Sequence, residues 1–591
     1  MFRRRMALRL TRTFHSIFIH VAIVLLPVAS IADDVEFGFA YGTAGGFQIE
    51  GNAVAVDASG NAYTTGYFEG TVDFDPGAGV FDLVSTTRWD IFITKLDSNG
   101  DFVWAKSFGV SGGEQDIGWG IAVGPSGNVH VGGKFHNTID FNPGAGTNNL
   151  TSAGSSDAFI LKLDSNGNFL WAKSMGGTGW EECNDIDIDS SGYIYSIGRF
   201  RGTADFDPNG GISNLVSAGN EDIFVQKLDS SGNFVWAKRL GGTGIDYGHG
   251  IAVDSSGNVL TTGFFQDSAD FNPGPGTATL NSVNGSFDIF VSKLNSTGNY
   301  VWAKAMGSSG TDEGNDVAVD VAGNVYTTGK FTGTADFNPG AGTNNLTSNG
   351  GDNTFIQKLD SSGNFTWAKS IGGNAGIWGD VGWDVIVDES GSVYTTGTYA
   401  GTVDFDPGAG TANLNGNTAS IFVQKLSTTG NFVWAKSMGD DFFGGSIGYG
   451  ITLDATRNVH TTGLFAGTAV DFDPGAGVVN LAYSVKGAFV SRLDVQKLSI
   501  VYANFDTGLS SAIGGETDPV DSVQAALNRA ESGGLIKIAA GTTSETATIS
   551  DNITLQRNGS TGTVIIGDTI PAADDHKTHP TSGYITNQRR D

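Results

Sequence analysis

The sequence lacks several features that mark common classes of protein. Its 591 residues include a single cysteine, Cys183, which excludes an intramolecular disulfide, so packing and hydrogen bonds must hold the fold. Basic residues are scarce, with 33 Lys and Arg against 62 Asp and Glu, and the formal net charge is −29. A chain this acidic repels phosphate groups, which argues against nucleic acid or an anionic membrane surface as its partner.

Helical periodicity and catalytic motifs are also missing between residues 35 and 495. Glycine and asparagine interrupt the apolar runs at short intervals, and no run keeps the 3.6-residue period of a helix. The sequence contains neither His-Glu-x-x-His nor Gly-x-x-x-x-Gly-Lys-Ser/Thr. We therefore expect an all-β protein that is not an enzyme.

One short motif is abundant instead. Asp-Phe, then Asp or Asn, then Pro begins at positions 73, 140, 205, 270, 336, 404 and 471, in steps of 65 to 68 residues. A Trp-Ala-Lys run keeps the same interval in six copies, at Trp104, Trp171, Trp236, Trp302, Trp367 and Trp434. A residue that recurs in every unit is expected to serve packing, so we assign these tryptophans to the core. The whole unit repeats, which predicts a repeat architecture.

Each unit contains four short β-prone segments joined as two hairpins. In one copy, residues 250–254 and 259–263 flank the turn Ser255-Ser-Gly-Asn258, and residues 223–228 and 234–238 flank Asp229-Ser-Ser-Gly232. Asp accepts backbone hydrogen bonds at the start of such a turn, and Gly adopts the left-handed conformation that closes it. Seven units of four strands predict a seven-bladed β-propeller.

The two ends of the repeat region complement each other. The last unit has three strands, ends at Leu493 and has no Trp-Ala-Lys run. The segment Phe37–Tyr41 precedes its equivalent, Trp104–Phe108, by one period of 67 residues. We therefore predict that the N-terminal strand completes the last blade and closes the ring.

The recurring strings resemble a known family. Residues 223–238 read Ile-Phe-Val-Gln-Lys-Leu-Asp-Ser-Ser-Gly-Asn-Phe-Val-Trp-Ala-Lys, and residues 251–258 read Ile-Ala-Val-Asp-Ser-Ser-Gly-Asn. These motifs, repeated over residues 35 to 495, are similar to the bacterial seven-bladed β-propeller repeat family. The resemblance implies an exported scaffold for binding and transfers no catalytic residue, because a fold does not fix a function.

The first 32 residues have the pattern of a signal peptide. Five arginines precede an apolar stretch from Ile17 to Ala29, and small residues follow up to Ala32. An uncleaved anchor would need about 20 apolar residues. We expect cleavage near Ala32, a bacterial protein that is secreted, periplasmic or on the cell surface, no membrane insertion afterwards, and a monomer. Without the leader's arginines the net charge becomes −34.

The chain changes character after the predicted propeller, residues 33–495. Residues 518–530 predict one helix, and β-prone segments follow within residues 535–566. Residues 496–570 resemble the opening of a pectate-lyase-like right-handed parallel β-helix, and we predict a disordered tail over 571–591. This appendage is either a truncated enzyme, a cap on the propeller or an assembly module.

The Asp-Phe-Asp-Pro inserts carry the candidate metal ligands. Their acids either cap turns or bind Ca²⁺, which prefers carboxylate oxygens. The candidates are Asp73, Asp75, Asp140, Asp205, Asp207, Asp404, Asp406, Asp471 and Asp473. Calcium is the only cofactor that the sequence suggests.

The crossings from one blade to the next differ from copy to copy, as expected for a binding site. Alternation of the connections places them on one face together with the inserts. The candidate ligand-binding residues are Trp119, Trp180, Glu181, Glu182, Asp246, Tyr247, Asp312, Trp378, Trp383 and Tyr449. Aromatic rings beside acids suit sugars and equally suit protein interfaces, unless they only pack under neighbouring loops.

The sequence thus predicts a secreted, non-catalytic binding or structural module whose ligand is a carbohydrate or an extracellular protein. Two alternatives stay open. One is a polysaccharide-degrading enzyme whose propeller delivers the substrate, and the other is a purely architectural protein of the cell surface.

Overall fold

The computed structural model describes residues 35–495 except 43, 87, 111–114, 374–378, 440–444 and 476, and six short strands between residues 501 and 586. Backbone contacts divide the chain into two compact units, Asp33–Gln496 and a second that comprises Met1–Ala32 and Lys497–Asp591. The predicted signal peptide and the helix predicted over 518–530 lie outside the described residues. Within the part that the structure describes, no helix is long and apolar enough to cross a membrane.

Seven four-stranded antiparallel blades form the first unit, which confirms the predicted propeller. We call the strands of each blade inner, second, third and outer, in order of pairing. Blade 1 comprises Gln48–Val56, Ala62–Glu69, Asp90–Leu96 and Phe102–Phe108, and blade 2 comprises Ile117–Val123, Val129–Phe135, Asp157–Leu163 and Phe169–Gly177. Blade 3 comprises Glu181–Ile188, Ile194–Phe200, Asp222–Leu228 and Phe234–Gly242, and blade 4 comprises Tyr247–Val253, Val259–Gln266, Phe287–Leu294 and Tyr300–Met306.

The remaining three blades follow the same order, and the last takes its outer strand from the N-terminus. Blade 5 comprises Glu313–Val319, Val325–Phe331, Asn353–Leu359 and Phe365–Ile371, and blade 6 comprises Val381–Val387, Val393–Asp404, Asn413–Leu426 and Phe432–Met438. Blade 7 comprises Ile447–Leu453, Val459–Asp471, Asn480–Val495 and Val35–Gly42. In blade 7, Phe37 pairs with Leu493 and Tyr41 with Val490, which confirms the predicted closure.

The inner strands surround the axis of the ring. Each contacts the inner strands of both neighbouring blades, from blade 1 round to blade 7 and back to blade 1. The second and third strands are covered on both faces, and Val325, Tyr326 and Phe331 are fully buried. This double coverage explains why these strands are rich in apolar residues on both faces and not on one face only.

The hairpin turns form as the sequence predicts. Asp57 Oδ1 accepts hydrogen bonds from the backbone N–H groups of Ser59 and Asn61, at 2.9 and 3.0 Å. Gly60 has a φ of +81°, which an L side chain rarely adopts. These two features recur around the ring and hold the strands of each hairpin in register.

Four of the six recurring tryptophans donate a hydrogen bond to the next blade. Trp104 Nε1 donates to the Ser165 carbonyl, 3.2 Å away in the third-to-outer turn of blade 2. Trp236 makes the same bond to Ser296 and Trp302 to Ser361. Trp367 donates to Thr428 in the same way, whereas Nε1 of Trp171 and of Trp434 meets no acceptor among the described residues. All six rings pack in or against the hydrophobic core, as expected for a packing element.

The inserts are β-ribbons between the second and third strands. In blades 1 to 5 they are separate pairs, Thr71–Asp73 with Asp82–Val84, Thr138–Asp140 with Asn149–Thr151, Thr203–Asp205 with Asn214–Val216, Ser268–Asp270 with Thr279–Asn281, and Thr334–Asp336 with Asn345–Thr347. In blades 6 and 7 they continue the long second and third strands. Two short elements, strand Ala44–Gly45 and the 3-10 turn Val283–Gly285, complete the unit.

Each ribbon also contacts the preceding blade. Asp205 pairs with Gly176 at the end of the outer strand of blade 2, and the motif phenylalanine Phe206 is fully buried. Its ring packs on Phe200 and Phe224, with centroids 5.5 and 4.7 Å away. The motif therefore contacts both blades, because Asp205 pairs with blade 2 and Phe206 packs in the core of blade 3.

The second unit contains a small sheet of mixed direction. Val501–Asn504 pairs in parallel with Ile536–Ala539, and Thr563–Gly567 in parallel with Ser582–Thr586, whereas Ile536–Ala539 and Thr563–Gly567 are antiparallel. Thr546–Thr548 and Thr554–Gln556 form a separate antiparallel pair. The resemblance to a parallel β-helix stays a prediction.

Candidate functional site

Every inner strand carries a β-bulge at the same position. At this position the pairing between the inner strand and the second strand skips one residue of the inner strand. In blade 1, Gly51 and Ala53 pair with two consecutive residues of the second strand, and the residue between them is unpaired. The extra residue of a bulge is left out of the ladder, so its side chain is free to be re-aimed. The seven bulge residues are Asn52, Trp119, Asn184, His249, Asn315, Trp383 and Tyr449.

All seven bulge residues line one cavity of about 380 Å³. Because the inner strands surround the axis, this cavity lies at the centre of the ring, and we call it the central cavity. Glu50, Glu182 and Tyr247, each two residues before a bulge, complete its lining. Seven equivalent positions thus present seven side chains to one space, and these side chains differ in chemistry.

Four of the bulge residues staple neighbouring inner strands. Asn52, Asn184 and Asn315 each donate from Nδ2 to a glycine carbonyl in the next blade, at 2.8 to 2.9 Å. His249 Nδ1 makes the equivalent contact to the Gly314 carbonyl at 3.0 Å. Since a carbonyl only accepts, Nδ1 carries the proton, and Nε2 of the neutral ring is an acceptor.

The other three bulge residues are aromatic and leave polar atoms unused. Trp383 and Tyr449 meet edge to face, with ring centroids 5.4 Å apart. In the described part of the chain, neither the Trp119 nor the Trp383 indole N–H meets an acceptor, although both atoms are buried. A buried donor without a partner is costly, so these two N–H groups are suited to an acceptor brought by a ligand.

Charged groups surround the aromatic residues. Glu182 lies 2.7 Å from Lys134 and 3.0 Å from Arg199, and the Arg199 guanidinium stands 4.2 Å from the centre of the Tyr247 ring. Burial by itself raises the pKa of Glu182, but the charges of Lys134 and Arg199 outweigh it and hold that pKa below its ordinary value. Glu182 is therefore ionised at neutral pH.

Three buried carboxyl groups directly follow bulge residues. Asp185 and Asp384 accept the backbone N–H groups of Ile251 and Ile451 in the next blade, at 2.9 and 2.8 Å. Burial, and next their mutual repulsion, raise the pKa of Asp185 and of Asp316. Burial also raises the pKa of Asp384.

A second cavity of about 570 Å³ borders the first, and we call it the cationic cavity. Arg88, Lys134 and Arg199 line it together with the half-exposed ring of Trp180. Glu182 lines both cavities. The two cavities therefore adjoin at the Glu182 carboxylate.

Six of the ten predicted ligand-binding residues lie in these cavities. Trp119, Glu182, Tyr247, Trp383 and Tyr449 line the central cavity, and Trp180 lines the cationic cavity. Trp378 lies outside the described residues.

The remaining three, Glu181, Asp246 and Asp312, are fully buried and line neither cavity. Glu181 Oε2 accepts the Gly177 N–H at 2.8 Å, and Asp246 Oδ2 accepts the Gly242 N–H at 2.6 Å. Burial raises the pKa of both carboxyls to about 7. These acids fasten the blade crossings.

The insert acids that were candidate metal ligands bind backbone amides. Asp73, Asp140, Asp205, Asp404 and Asp471 each accept two N–H groups at one oxygen, and Asp75, Asp207, Asp406 and Asp473 each accept one. No three His, Cys, Asp or Glu side chains gather in a metal-binding arrangement among the described residues. The hydrogen bonds are those of the turn-capping alternative.

Five residues of the central cavity were not predicted. They are Glu50, Asn52, Asn184, His249 and Asn315. Asparagine in a glycine-rich chain is typical of turns, which hid their role. The available signal is positional, because one variable residue follows a glycine or Cys183 at the same place in all seven inner strands.

Comparison with known proteins supports the repeat and leaves the ligand open. The family described as "Beta-propeller repeat" matches residues 235–263, which confirms the resemblance expected from the sequence. An uncharacterised WD repeat-containing protein of Acanthamoeba polyphaga mimivirus is 29% identical over 231 residues, and the regulatory protein FlaEY of Caulobacter vibrioides is 27% identical over 155. The alignments cover 34% and 24% of this chain and 16% of each relative.

Solved structures with similar folds are distant in sequence. The polysaccharide lyase Uly1 covers 78% of this chain and all of its own, with 8% identity and a TM-score of 0.38. The WD40 propeller domain of Doa1 covers 78% of this chain and 98% of its own, with 9% identity and a TM-score of 0.32.

Proposed function

The chain is a seven-bladed propeller that carries the β-propeller repeat, and from this premise we propose that it is an exported binding module whose central cavity holds a carbohydrate. The signal-peptide pattern of the first 32 residues supports export to the periplasm, the cell surface or the medium. The bulge residues supply the site, and the rest of each blade supports them.

One observation carries the proposal. Seven equivalent positions converge on one cavity, and they present two tryptophans, a tyrosine, three amides and an imidazole. Aromatic faces suit the C–H surfaces of sugar rings, and amide, indole and carboxylate groups suit hydroxyls. Two buried indole N–H groups without acceptors fit a ligand rich in oxygen.

The test is binding of residues 33–591 to a broad glycan array, followed by titration of the best ligand with Trp383→Ala. We expect at least a tenfold loss of affinity, because the variant loses both a stacking face and a buried donor. Phe47→Ala is the matched control, since Phe47 is an aromatic side chain 70% exposed and outside both cavities. Unchanged affinity of the Trp383 variant, or no bound glycan at all, would refute the proposal.

His249 supports a second candidate, cleavage of a polysaccharide. Its proton is fixed at Nδ1, its ring centre lies 5.3 Å from that of Tyr247, and burial lowers its pKa. A neutral imidazole with a free Nε2 is suited to act as a general base. Release of new chain ends by the wild type and not by His249→Ala would establish catalysis, and a bound glycan that stays intact would leave binding as the function.

A further inference from the structure

Three basic side chains line one cavity of this acidic protein. The cationic cavity gathers Arg88, Lys134 and Arg199 from blades 1, 2 and 3. In a chain with nearly two acids for every base, three cations around one cavity depart from the general composition. The rest of the lining comprises Gln115, His136, Ser155, Ser156, Trp180 and Glu182.

The acids of the cavity do not neutralise all three cations. Glu182 is shared by Lys134 and Arg199, and Arg199 also contacts Glu221 at 2.6 Å. Arg88 stands 5.4 Å from the centre of the Trp89 ring, and within the described part of the chain it has no acidic partner. Among the described residues, Arg88 is therefore an exposed cation of this cavity that no carboxylate pairs with.

The equivalent sector of blade 5 has the opposite balance. Lys330, which occupies the position of Lys134, lies 3.3 Å from Glu313 and 3.9 Å from Asp352. There, one cation faces two acids. The excess of positive charge at the cationic cavity is consequently not repeated in blade 5.

The overall charge of −29 does not cancel this local excess. Exposed charges are screened beyond about 8 to 10 Å at ordinary ionic strength, so a ligand in the cavity responds mainly to the side chains that line it. Arginine also donates two parallel hydrogen bonds to a carboxylate or a sulfate, which sets Arg88 apart from a lysine.

From this arrangement we infer that the cationic cavity is a subsite for the carboxylate or sulfate group of an acidic glycan whose neighbouring sugar occupies the central cavity. The inference rests on the proposed function. Glu182 borders both cavities and holds Lys134 and Arg199 in place, and Trp180 offers an indole face beside the anionic group. In this arrangement, the sugar chain extends past Glu182 from the central cavity into the cationic cavity.

The test compares each acidic glycan with its neutral counterpart on the 33–591 chain. Oligogalacturonate and its full methyl ester probe the carboxylate, and dextran sulfate and dextran probe the sulfate. We expect at least one acidic member to bind ten times more tightly than its neutral partner, and Arg88→Ala to remove that preference while leaving neutral binding unchanged. Lys330→Ala is the matched control, because it removes a cation at the equivalent position of blade 5.

The outcomes separate the two proposals. Equal affinity for acidic and neutral glycans, or an acidic preference that survives in Arg88→Ala, overturns the subsite and leaves carbohydrate binding intact. Binding that is insensitive to Trp383→Ala overturns the central site, and no glycan binding at all overturns both. Since Arg88 is exposed, an unchanged melting temperature will show that its variant is folded.

Discussion

Single buried carboxyl groups make the stability of this fold depend on pH. Asp157, the first residue of a third strand, accepts the Ala153 N–H at 3.0 Å, and burial raises its pKa to about 6. The folded state therefore holds a proton that the unfolded chain has lost between about pH 4 and pH 6. The stability from this group is fully present below pH 4 and is lost as the pH rises through 6.

Asp157→Asn should remove this dependence. Blade 5 already has Asn353 at the equivalent position, where its Oδ1 accepts the Asn349 N–H, so the substitution fits the fold. Between pH 4 and pH 8 we expect the wild type to lose about 2 kcal/mol more unfolding free energy than the variant. Urea unfolding at both pH values measures this, with exposed Asp101→Asn as control; parallel losses in wild type and variant would contradict the expectation.

The insert ribbons show how a recurring element joins the blades. Asp205 Oδ1 binds the N–H groups of Asp207 and Ser213 at 3.0 and 2.8 Å, and this closes the ribbon turn. The neighbouring Phe206 fills the joint between blades 2 and 3. Because the carboxylate already accepts two amides at one oxygen, the ribbon needs no cation to hold its shape.

Chelation therefore should not move the melting temperature, whereas Asp205→Ala should reduce stability by about 1 to 3 kcal/mol because two amides lose their acceptor. Asp205→Asn keeps one acceptor oxygen and serves as the matched control. Differential scanning calorimetry with and without EDTA measures all three proteins. A melting temperature that falls in EDTA for the wild type alone would instead indicate a bound divalent cation.

At the scale of the whole molecule, stability depends on closing the ring. Val35–Gly42 is the outer strand of blade 7, and its Phe39 is buried, with the Arg492 guanidinium 4.9 Å from the ring centre. Without this strand, Asn480–Val495 becomes an open edge, and the segment that leads into blade 1 is no longer hydrogen-bonded into the sheet of blade 7.

A chain that starts at residue 44 should melt at least about 5 °C lower than a chain that starts at residue 33, because the shorter chain lacks the strand that completes the sheet of blade 7. Adding a synthetic peptide of residues 33–43 should restore most of the difference. The same peptide with Phe39→Asp is the control, and equal rescue by both peptides would show that the pairing does not depend on the buried ring.

The sequence was most informative where the blades agree. The interval of the Asp-Phe-Asp/Asn-Pro motif predicted seven blades, and the missing Trp-Ala-Lys run predicted the N-terminal closing strand. The site is only partly predictable because it depends on where each inner strand is bulged. Trp383 and Tyr449 stood out as aromatic residues, but Asn52 and Asn184 reach the same cavity only through a backbone irregularity that composition does not reveal.

The hydrogen bonds from bulge residues to the next blade, the staples, bear on how a propeller of this kind can gain or lose repeat units. In each staple, the donor and the acceptor occupy fixed positions of the repeat, as with Asn52 and Gly118 or Asn315 and Gly382. A unit that carries a staple donor therefore finds its acceptor, a backbone carbonyl, in whichever unit follows it. After duplication or deletion of one whole unit, each remaining staple donor still faces the backbone carbonyl at the same position of the following unit. The bulge residue is thus the position at which a copy can acquire a new specificity.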